Sequence, residues 1–235
     1  MSLFGAWALA VTGAFIGLMF PTAAVPATPG RSSSGVRIMP LGDSITDGWT
    51  PYPGGYRVTL WQQLTAGGHR VDFVGSRANG PAALGDHDHE GHPGWRIDQL
   101  DAHIVSWLKE SDPGTILLHI GTNDINQDHD VAHAPARLSG LIDDILRTEP
   151  GVQLFVARII TEQNAQRAAM VDAFNAALPG IVAGKGPNVH LVDMHAALTT
   201  ADLADGVHPS RTGYDKMALV WLNALREARA GREAA

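Results

Sequence analysis

The sequence predicts an α/β protein in which a five-stranded parallel sheet is covered by helices on both faces. From Val36 onward, short and continuously apolar segments alternate with longer segments whose apolar residues recur with helical spacing. Strands that are apolar along their whole length are typical of a parallel sheet buried on both faces. Right-handed crossovers between such strands give a doubly wound, three-layer α/β/α sandwich.

The predicted strands are short, rich in aliphatic residues and accompanied by Gly, Pro, Asp or Asn, as buried strands usually are. They cover residues 36–41, 71–74, 115–120, 152–160 and 189–192.

Helices are predicted where apolar residues recur every three or four positions, because such residues share one helical face. Pro179 and Gly180 are expected to end the fourth of these helices, since proline disrupts a helix interior. The predicted helices cover residues 56–64, 97–108, 138–146, 167–178 and 213–229.

Composition excludes several classes of protein. The chain has 235 residues, enough for one α/β domain with a sizeable core. It contains no cysteine, which excludes disulfides, thiolate catalysis and cysteine-ligated zinc. The formal net charge is −7, so there is no general electrostatic reason to bind nucleic acid or anionic lipid.

The first 27 residues differ from the rest of the chain. They carry no charged side chain, and residues 3–20 are almost continuously apolar. Val25 and Ala27 are small residues placed as in a signal-peptide cleavage site, so residues 1–27 predict a secretory signal peptide, export and no stable membrane association after cleavage. An uncleaved N-terminal membrane anchor is the alternative.

Three further regions follow the predicted signal peptide. Residues 28–35 are rich in Pro, Gly and Ser and predict a disordered linker. Residues 36–229 are expected to form the folded domain, whose chemistry is considered below, and residues 230–235 are expected to be a disordered tail.

Polar segments follow four of the predicted strands. Ligands of doubly wound sheets bind beyond the carboxyl ends of the strands, so these segments are expected to meet at one rim. They are residues 42–45 (Gly-Asp-Ser-Ile), 92–95 (His-Pro-Gly-Trp), 121–124 (Gly-Thr-Asn-Asp) and 205–209 (Asp-Gly-Val-His-Pro).

Together these segments contain the groups needed for acyl transfer to a serine. Ser44 is the candidate nucleophile, His208 the base and Asp205 the carboxylate that orients the base. The backbone N–H groups of Ser44 and Gly94 and the side-chain amide of Asn123 are candidate donors to an oxyanion. Taken singly, each segment also fits a structural role, such as a helix cap or an ordinary turn.

The same segments resemble the conserved blocks of the SGNH (GDSL-type) hydrolases. The Ser, Gly, Asn and His for which that family is named correspond to Ser44, Gly94, Asn123 and His208, and its Asp corresponds to Asp205. The resemblance extends over about residues 36–226 and implies a flavodoxin-like five-stranded fold and ester hydrolysis without a cofactor. Ile45 departs from the leucine that is commonest at this position.

Residues 54–57, 72–76 and 89–95 resemble most the branch that contains the acetyl xylan esterases of carbohydrate esterase family 3. That resemblance implies an acylated carbohydrate, or another small ester, as the substrate. Trp95 is our candidate for substrate contact, because aromatic rings stack on sugar faces.

Residues 86–92 are dense in Asp, His and Glu and so could hold a divalent cation. The segment lacks an H-E-x-x-H pattern, and we expect a polar surface loop with no metal in the active site. Arg57 is expected to steady a loop near Ser44.

The sequence therefore predicts a secreted serine ester hydrolase that removes short acyl groups, acetyl above all, from carbohydrate through an acyl-enzyme. A lysophospholipase or thioesterase of the same fold is one alternative. A non-catalytic carbohydrate-binding module is the other, because fold alone does not decide function.

Overall fold

A central parallel sheet organises the protein, whose computed structural model describes residues 35–234. The sheet contains all five predicted strands, and β2, β1, β5, β6 and β7 lie side by side in that order, all parallel. The strands are β1 (Val36–Gly42), β2 (Val71–Phe73), β3 (Arg77–Ala78), β4 (Asp88–Gly91), β5 (Thr115–His119), β6 (Gln153–Ala157) and β7 (Val189–Val192).

Two short strands, β3 and β4, were not predicted. They pair antiparallel with each other, and β4 also runs parallel to the end of β1, where Leu41 faces Glu90 and Gly42 faces Gly91. Because these strands are polar and only two and four residues long, they lack the apolar pattern by which a strand is predicted.

Seven α-helices surround the sheet in the described part of the chain. Five coincide with the predicted helices, and the two short ones, α1 and α4, begin in polar segments of the predicted site. The helices are α1 (Ser44–Asp47), α2 (Gly55–Ala66), α3 (Ile97–Ser111), α4 (Thr122–Asn126), α5 (Ala134–Thr148), α6 (Ala165–Ala183) and α7 (Arg211–Glu233).

Each face of the sheet has its own apolar core, so the predicted three-layer sandwich is confirmed. Helices α3, α5 and α6 cover one face, and α2 and α7 cover the other. Successive residues of a strand point to opposite faces; in β5, for example, Ile116 and Leu118 enter the first core and Leu117 the second.

Two predicted boundaries need correction. Helix α6 continues past Pro179 to Ala183, because Leu178 and Val182 lie one turn apart and are both buried in the core. That burial offsets the hydrogen bond that proline removes. Helix α7 continues to Glu233, so residues 230–233 are helical and the expected tail is not disordered there; Arg229 and Glu233 form an ion pair one turn apart at 2.7 Å.

The predicted signal peptide, residues 1–27, and the linker, residues 28–35, lie outside the described residues except for Gly35. Within residues 35–234 no helix has the length and apolarity needed to span a bilayer.

Candidate active site

A serine, a histidine and a carboxylate meet at the carboxyl edge of the sheet. The Ser44 hydroxyl oxygen lies 2.9 Å from Nε2 of His208, across 164 positions of sequence. Nδ1 of the same ring lies 2.8 Å from Oδ2 of Asp205. Because an ionised carboxylate only accepts hydrogen bonds, Asp205 holds the proton on Nδ1 and leaves Nε2 free to accept from the serine.

The backbone before Ser44 places this serine in a tight turn. A Cβ on Gly42 would lie 2.3 Å from the carbonyl oxygen of His119, so only glycine fits there. Asp43 then caps α1, and its Oδ1 accepts from the Ile45 N–H at 2.9 Å. Ser44 is the first residue of α1, where a backbone N–H has no acceptor within the helix.

The loop that carries His208 is ordered by Asp205. Oδ1 of Asp205 accepts from the backbone N–H groups of Val207, at 3.0 Å, and His208, at 2.7 Å. Partial burial acts to raise the pKa of Asp205, but the hydrogen bonds from His208 and Val207 outweigh it, so the pKa lies below its ordinary value. Gly206 has φ +90° and permits this bend.

The predicted oxyanion donors border one pocket together with Ser44 and His208. Gly94 has φ +80°, and the side on which a Cβ would lie is open, with no atom within 4 Å. One N–H of the Asn123 amide donates to the Trp95 carbonyl at 2.9 Å, which fixes the side chain and leaves its second N–H available. The pocket has a volume of about 380 Å³ and is lined by Ser44, Trp49, Pro93, Gly94, Thr122, Asn123, Asn126, Val207 and His208.

Trp95, which we expected to contact substrate, does not line this pocket. Its ring stacks on His92 with the centroids 4.2 Å apart and packs against the core formed by α3 and its neighbours. The aromatic ring in the pocket is that of Trp49, which stacks on His208 and is 44% exposed. The pocket lining thus gives no support to substrate contact by Trp95, which stays a prediction.

Segment 86–92 is not the polar surface loop that we expected, because it contains β4 and its side chains His89, Glu90 and His92 are buried. Glu90 is fully buried and accepts hydrogen bonds from the backbone and hydroxyl of Ser76, both at 2.7 Å. His92 lies 2.6 Å from the same carboxylate, and Asp86 accepts from the Phe73 N–H. Among residues 35–234 no group of three or more His, Asp or Glu side chains is arranged to hold a metal ion.

The buried side chains of Arg57 and Asp124 hydrogen-bond to the segments that carry the site residues. The sequence indicated a role near the site only for Arg57. The buried Arg57 guanidinium donates to carbonyl oxygens of α1 and of two neighbouring loops, which agrees with the expected loop-steadying role. The buried carboxylate of Asp124 accepts from the Ile97 N–H at 3.0 Å and from Arg137 at 2.8 Å. It therefore joins α4, which carries Asn123, to α3 and α5.

Two buried titratable groups flank the turn before Ser44. Burial raises the pKa of Asp43 to about 7, with the Ile45 N–H acting in the opposite direction. Burial also lowers the pKa of His119 to about 4, so its imidazole is neutral at physiological pH. Neither ring nitrogen of His119 has a hydrogen-bond partner among the described residues. This histidine is a buried neutral residue of β5.

The fold and the juxtaposition of hydroxyl, imidazole and carboxylate define the class of the protein, a carboxylic ester hydrolase of the SGNH type. More narrowly, the chain belongs to the GDSL-like lipase/acylhydrolase family, whose model matches residues 41–216. The family resemblance predicted from the sequence is thereby confirmed.

Known proteins similar to this chain include esterases. A multidomain esterase of Ruminococcus flavefaciens is 31% identical over an alignment 232 positions long, which covers 86% of this chain and 30% of that relative. The chain therefore spans less than a third of that relative's length.

Two solved structures superpose closely on the fold. A family 3 carbohydrate esterase of Clostridium thermocellum gives a TM-score of 0.75 at 36% identity, covering 84% of this chain and 98% of that one. A carbohydrate esterase family 3 protein of Talaromyces cellulolyticus gives 0.74 at 29% identity, covering 83% and 99%. The chain is thus similar over most of its length to structures of this carbohydrate esterase family.

Proposed function

We propose that the protein removes acetyl groups from acetylated carbohydrate through an acyl-enzyme formed on Ser44. The observation that carries the proposal is the continuous hydrogen-bonded relay from Ser44 through His208 to Asp205, at 2.9 and 2.8 Å. The distance between the Ser44 hydroxyl oxygen and His208 Nε2 lies in the range over which a general base takes a hydroxyl proton. The similarity to family 3 carbohydrate esterases supports the sugar ester as the substrate.

In the proposed mechanism, Ser44 Oγ attacks the ester carbonyl carbon while His208 Nε2 takes the hydroxyl proton. The carbonyl oxygen becomes an oxyanion beside the N–H groups of Ser44 and Gly94 and the amide of Asn123. The C–O bond to the sugar then breaks, and His208 gives its proton to the departing sugar oxygen. Water, activated by the same imidazole, hydrolyses the acyl-enzyme and regenerates Ser44.

A short acyl group suits the pocket in which Ser44 lies. Few of its residues supply a bulky apolar side chain: Pro93 and Val207 are its aliphatic members, and the aromatic Trp49 lies against His208 rather than extending an apolar channel. A long acyl chain needs a continuous apolar surface to be removed from water. Acetyl is therefore favoured over octanoyl.

The test compares acetate release from acetylated xylan with hydrolysis of acetyl, butyryl and octanoyl aryl esters. We expect acetyl esters to be the best substrates, and Ser44→Ala to lower kcat by about 10⁴-fold or more. Ser106→Ala, at an exposed position on α3, is the matched control and should retain full activity. Preference for the octanoyl ester would instead support the lysophospholipase or thioesterase alternative.

The non-catalytic module would show sugar binding without turnover of any ester. Such a module has no need of a complete hydroxyl–imidazole–carboxylate relay, so the geometry favours the enzyme.

Export is proposed separately, on the uncharged and apolar character of residues 1–27. N-terminal sequencing of the protein collected from culture medium should find a chain that begins close to residue 28. A chain that stays in the membrane fraction with Met1 intact would support the anchor.

A further inference from the structure

The segment that carries Gly94 is a tight turn. A hydrogen bond from the Trp95 N–H to the His92 carbonyl, at 3.1 Å, closes residues 92–95 into a β-turn. Pro93 at the second position, and Gly94 at the third with φ +80°, are the features of a type II turn. The closing bond uses the Trp95 N–H and leaves the Gly94 N–H available for an oxyanion.

A glycine at this place makes the position of the donor depend on its surroundings. Gly94 is exposed and, without a side chain, adopts other backbone conformations at little cost. Oxyanion donors lower a barrier because they are already in place when the charge develops. Contacts from elsewhere in the fold are therefore needed to hold the Gly94 N–H in the active-site pocket.

Side chains on one side of α4 hold two consecutive carbonyl groups of this turn. Nε2 of Gln127, the residue directly after α4, donates to the Gly94 carbonyl at 2.8 Å. Nδ2 of Asn123 donates to the Trp95 carbonyl at 2.9 Å. The Gln127 N–H donates to the Asn123 carbonyl at 3.0 Å, so the two residues lie one helical turn apart and share a face. The carbonyl that Gln127 binds belongs to the same residue as the oxyanion donor.

The amide of Gln127 has one orientation that satisfies both of its neighbours. The Gly94 carbonyl only accepts, whereas the Arg96 guanidinium, whose Nη1 lies 2.7 Å from Oε1 of Gln127, only donates. The amide nitrogen must therefore face Gly94, and the amide oxygen must face Arg96. The opposite orientation would place donor against donor and acceptor against acceptor.

Arg96 is in turn held by Asp98. Its Nε and Nη2 donate to the two carboxylate oxygens of Asp98 at 3.0 and 3.1 Å, which is a bidentate pair. The hydrogen bond from Arg96 keeps the pKa of Asp98 below its usual value, so this carboxylate is charged at neutral pH. Oriented groups thus connect Asp98 through Arg96 and Gln127 to Gly94.

We propose that Gln127 is a positioning residue of the oxyanion site, which holds the Gly94 N–H in the pocket by donating to the Gly94 carbonyl. The inference rests on the ester hydrolysis proposed above and adds a residue that acts only through Gly94. Its effect is realised in the transition state, where the ester carbonyl oxygen becomes an anion. Gln127 therefore acts on kcat and leaves KM nearly unchanged.

The test replaces Gln127 by methionine, which has a similar length and no donor. On an aryl acetate we expect Q127M to lower kcat about fivefold, a modest loss because the hydrogen bond to Gly94 is exposed to water, with KM changed by less than about twofold. Gln63→Met changes an exposed glutamine of α2 and should match the wild type. Thermal unfolding of each variant establishes that it is folded.

A second measurement reports on the oxyanion site without turnover. Ethylboronic acid forms a tetrahedral adduct with a serine hydroxyl and places a boron-bound oxygen where the oxyanion would lie. Calorimetric titration should show that Q127M binds it about fivefold more weakly than the wild type does, the same factor as in kcat. A purely structural role of Gln127 would lower the unfolding temperature and leave this affinity unchanged.

Gln127→Glu separates the two contacts of the amide. An ionised carboxylate keeps a partner for Arg96 but cannot donate to the Gly94 carbonyl. We expect Q127E to lose at least as much kcat as Q127M. Wild-type kcat in Q127E would show that the contact with Arg96 matters and the contact with Gly94 does not, which would overturn the proposal. Equal kcat in all variants, or a loss confined to KM, would overturn it as well.

The aryl ester separates this inference from the function on which it rests. If the wild type hydrolyses the aryl acetate but releases no acetate from acetylated xylan, the carbohydrate function fails, and the kcat of Q127M still decides the role of Gln127. If acetate is released from xylan equally by wild type and Q127M, the role of Gln127 fails while the function stands. If the wild type hydrolyses neither ester, the boronic acid decides: no binding by the wild type, or equal binding by Q127M, overturns the role of Gln127.

Discussion

The indole ring of Trp49 lies flat against the imidazole of His208. The two centroids are 4.9 Å apart, and the planes are inclined by 12°. Asp205 restrains the imidazole through Nδ1 at its edge, whereas Trp49 restrains it on its face. The base is therefore held in two directions, although Trp49 and His208 lie far apart in sequence.

Replacing this ring should impair catalysis through the orientation of the base. Aromatic pairs contribute about 0.5–1.5 kcal/mol beyond the area they bury, so we expect Trp49→Ala to lower kcat by about tenfold on an aryl acetate. Trp49→Phe retains a flat ring and should recover most of the loss. Steady-state kinetics of the two variants decides the matter, and equal kcat for Trp49→Ala and wild type would show that Asp205 alone orients the base.

Asp205→Asn tests the other restraint on the same ring. An asparagine can still accept from the loop amides, but it can present N–H₂ to Nδ1 and thereby favour the tautomer in which Nε2 is protonated. We expect kcat/KM to fall by about 10²–10⁴-fold, with a folded protein by circular dichroism.

Asp193→Asn is a suitable control for that experiment, because Asp193 is exposed and pairs with Arg158 at 3.0 Å, away from the active-site pocket. Its activity should match that of the wild type. A similar loss in both variants would mean that the effect of Asp205→Asn is not specific to the relay.

The strands and helices that the sequence predicts correctly have a recognisable apolar pattern within their own residues, and the strands that it misses lack one. The five main strands and five long helices follow from apolar periodicity, which is a property of each segment alone. The β3–β4 pair is accompanied instead by a contact between distant residues, because the carboxylate of Glu90 in β4 accepts from Ser76, fourteen positions earlier and directly before β3. The apolar pattern of a single segment does not predict such a contact.

The same distinction applies within the site. Motifs and the chemistry of their side chains indicate Ser44, Gly94, Asn123 and His208, and the convergence of strand ends in a parallel sheet predicts that their segments meet. The stacking of Trp49 on His208 and the inward turn of Trp95 are set by the directions of side chains in irregular loops. Sequence therefore indicates which segments meet, whereas the neighbours of each ring follow only from the tertiary structure.

Asn123 provides a test of the oxyanion donors. Its amide is held by the Trp95 carbonyl, so the remaining N–H needs little reorganisation to meet developing charge. Loss of one such donor typically costs about 3 kcal/mol in the transition state, and we expect Asn123→Ala to lower kcat by about 100-fold with KM little changed.

Asn223→Ala, at an exposed position of α7, should leave both kinetic parameters unchanged. If Asn123→Ala mainly raises KM at constant kcat, the side chain binds the ground state and transition state equally and is not an oxyanion donor.

Because the carboxyl of Asp43 is buried, we expect the free energy of unfolding to depend on pH through this group. Burial raises its pKa in the folded protein to about 7, from the 3.8 of an unperturbed aspartic acid. Below pH 3.8 this carboxyl is protonated in both the folded and the unfolded protein. As the pH rises from 3.8 to about 7, the unfolded chain loses the proton while the folded protein keeps it. Stability therefore falls over this interval, by about 4 kcal/mol at 1.4 kcal/mol per pKa unit, and stays lower above it.

Asp43→Asn removes this dependence, because the amide oxygen can still cap α1 and no proton is exchanged. Urea unfolding at pH 5 and pH 8 should show the variant gaining stability relative to the wild type by about 2–3 kcal/mol over that interval, since part of the loss has already occurred at pH 5. Asp72→Asn, at an exposed position in β2, should show no such gain. An equal difference between Asp43→Asn and wild type at both pH values would mean that Asp43 is already ionised in the folded protein at pH 5, with its negative charge accommodated beside Ser44.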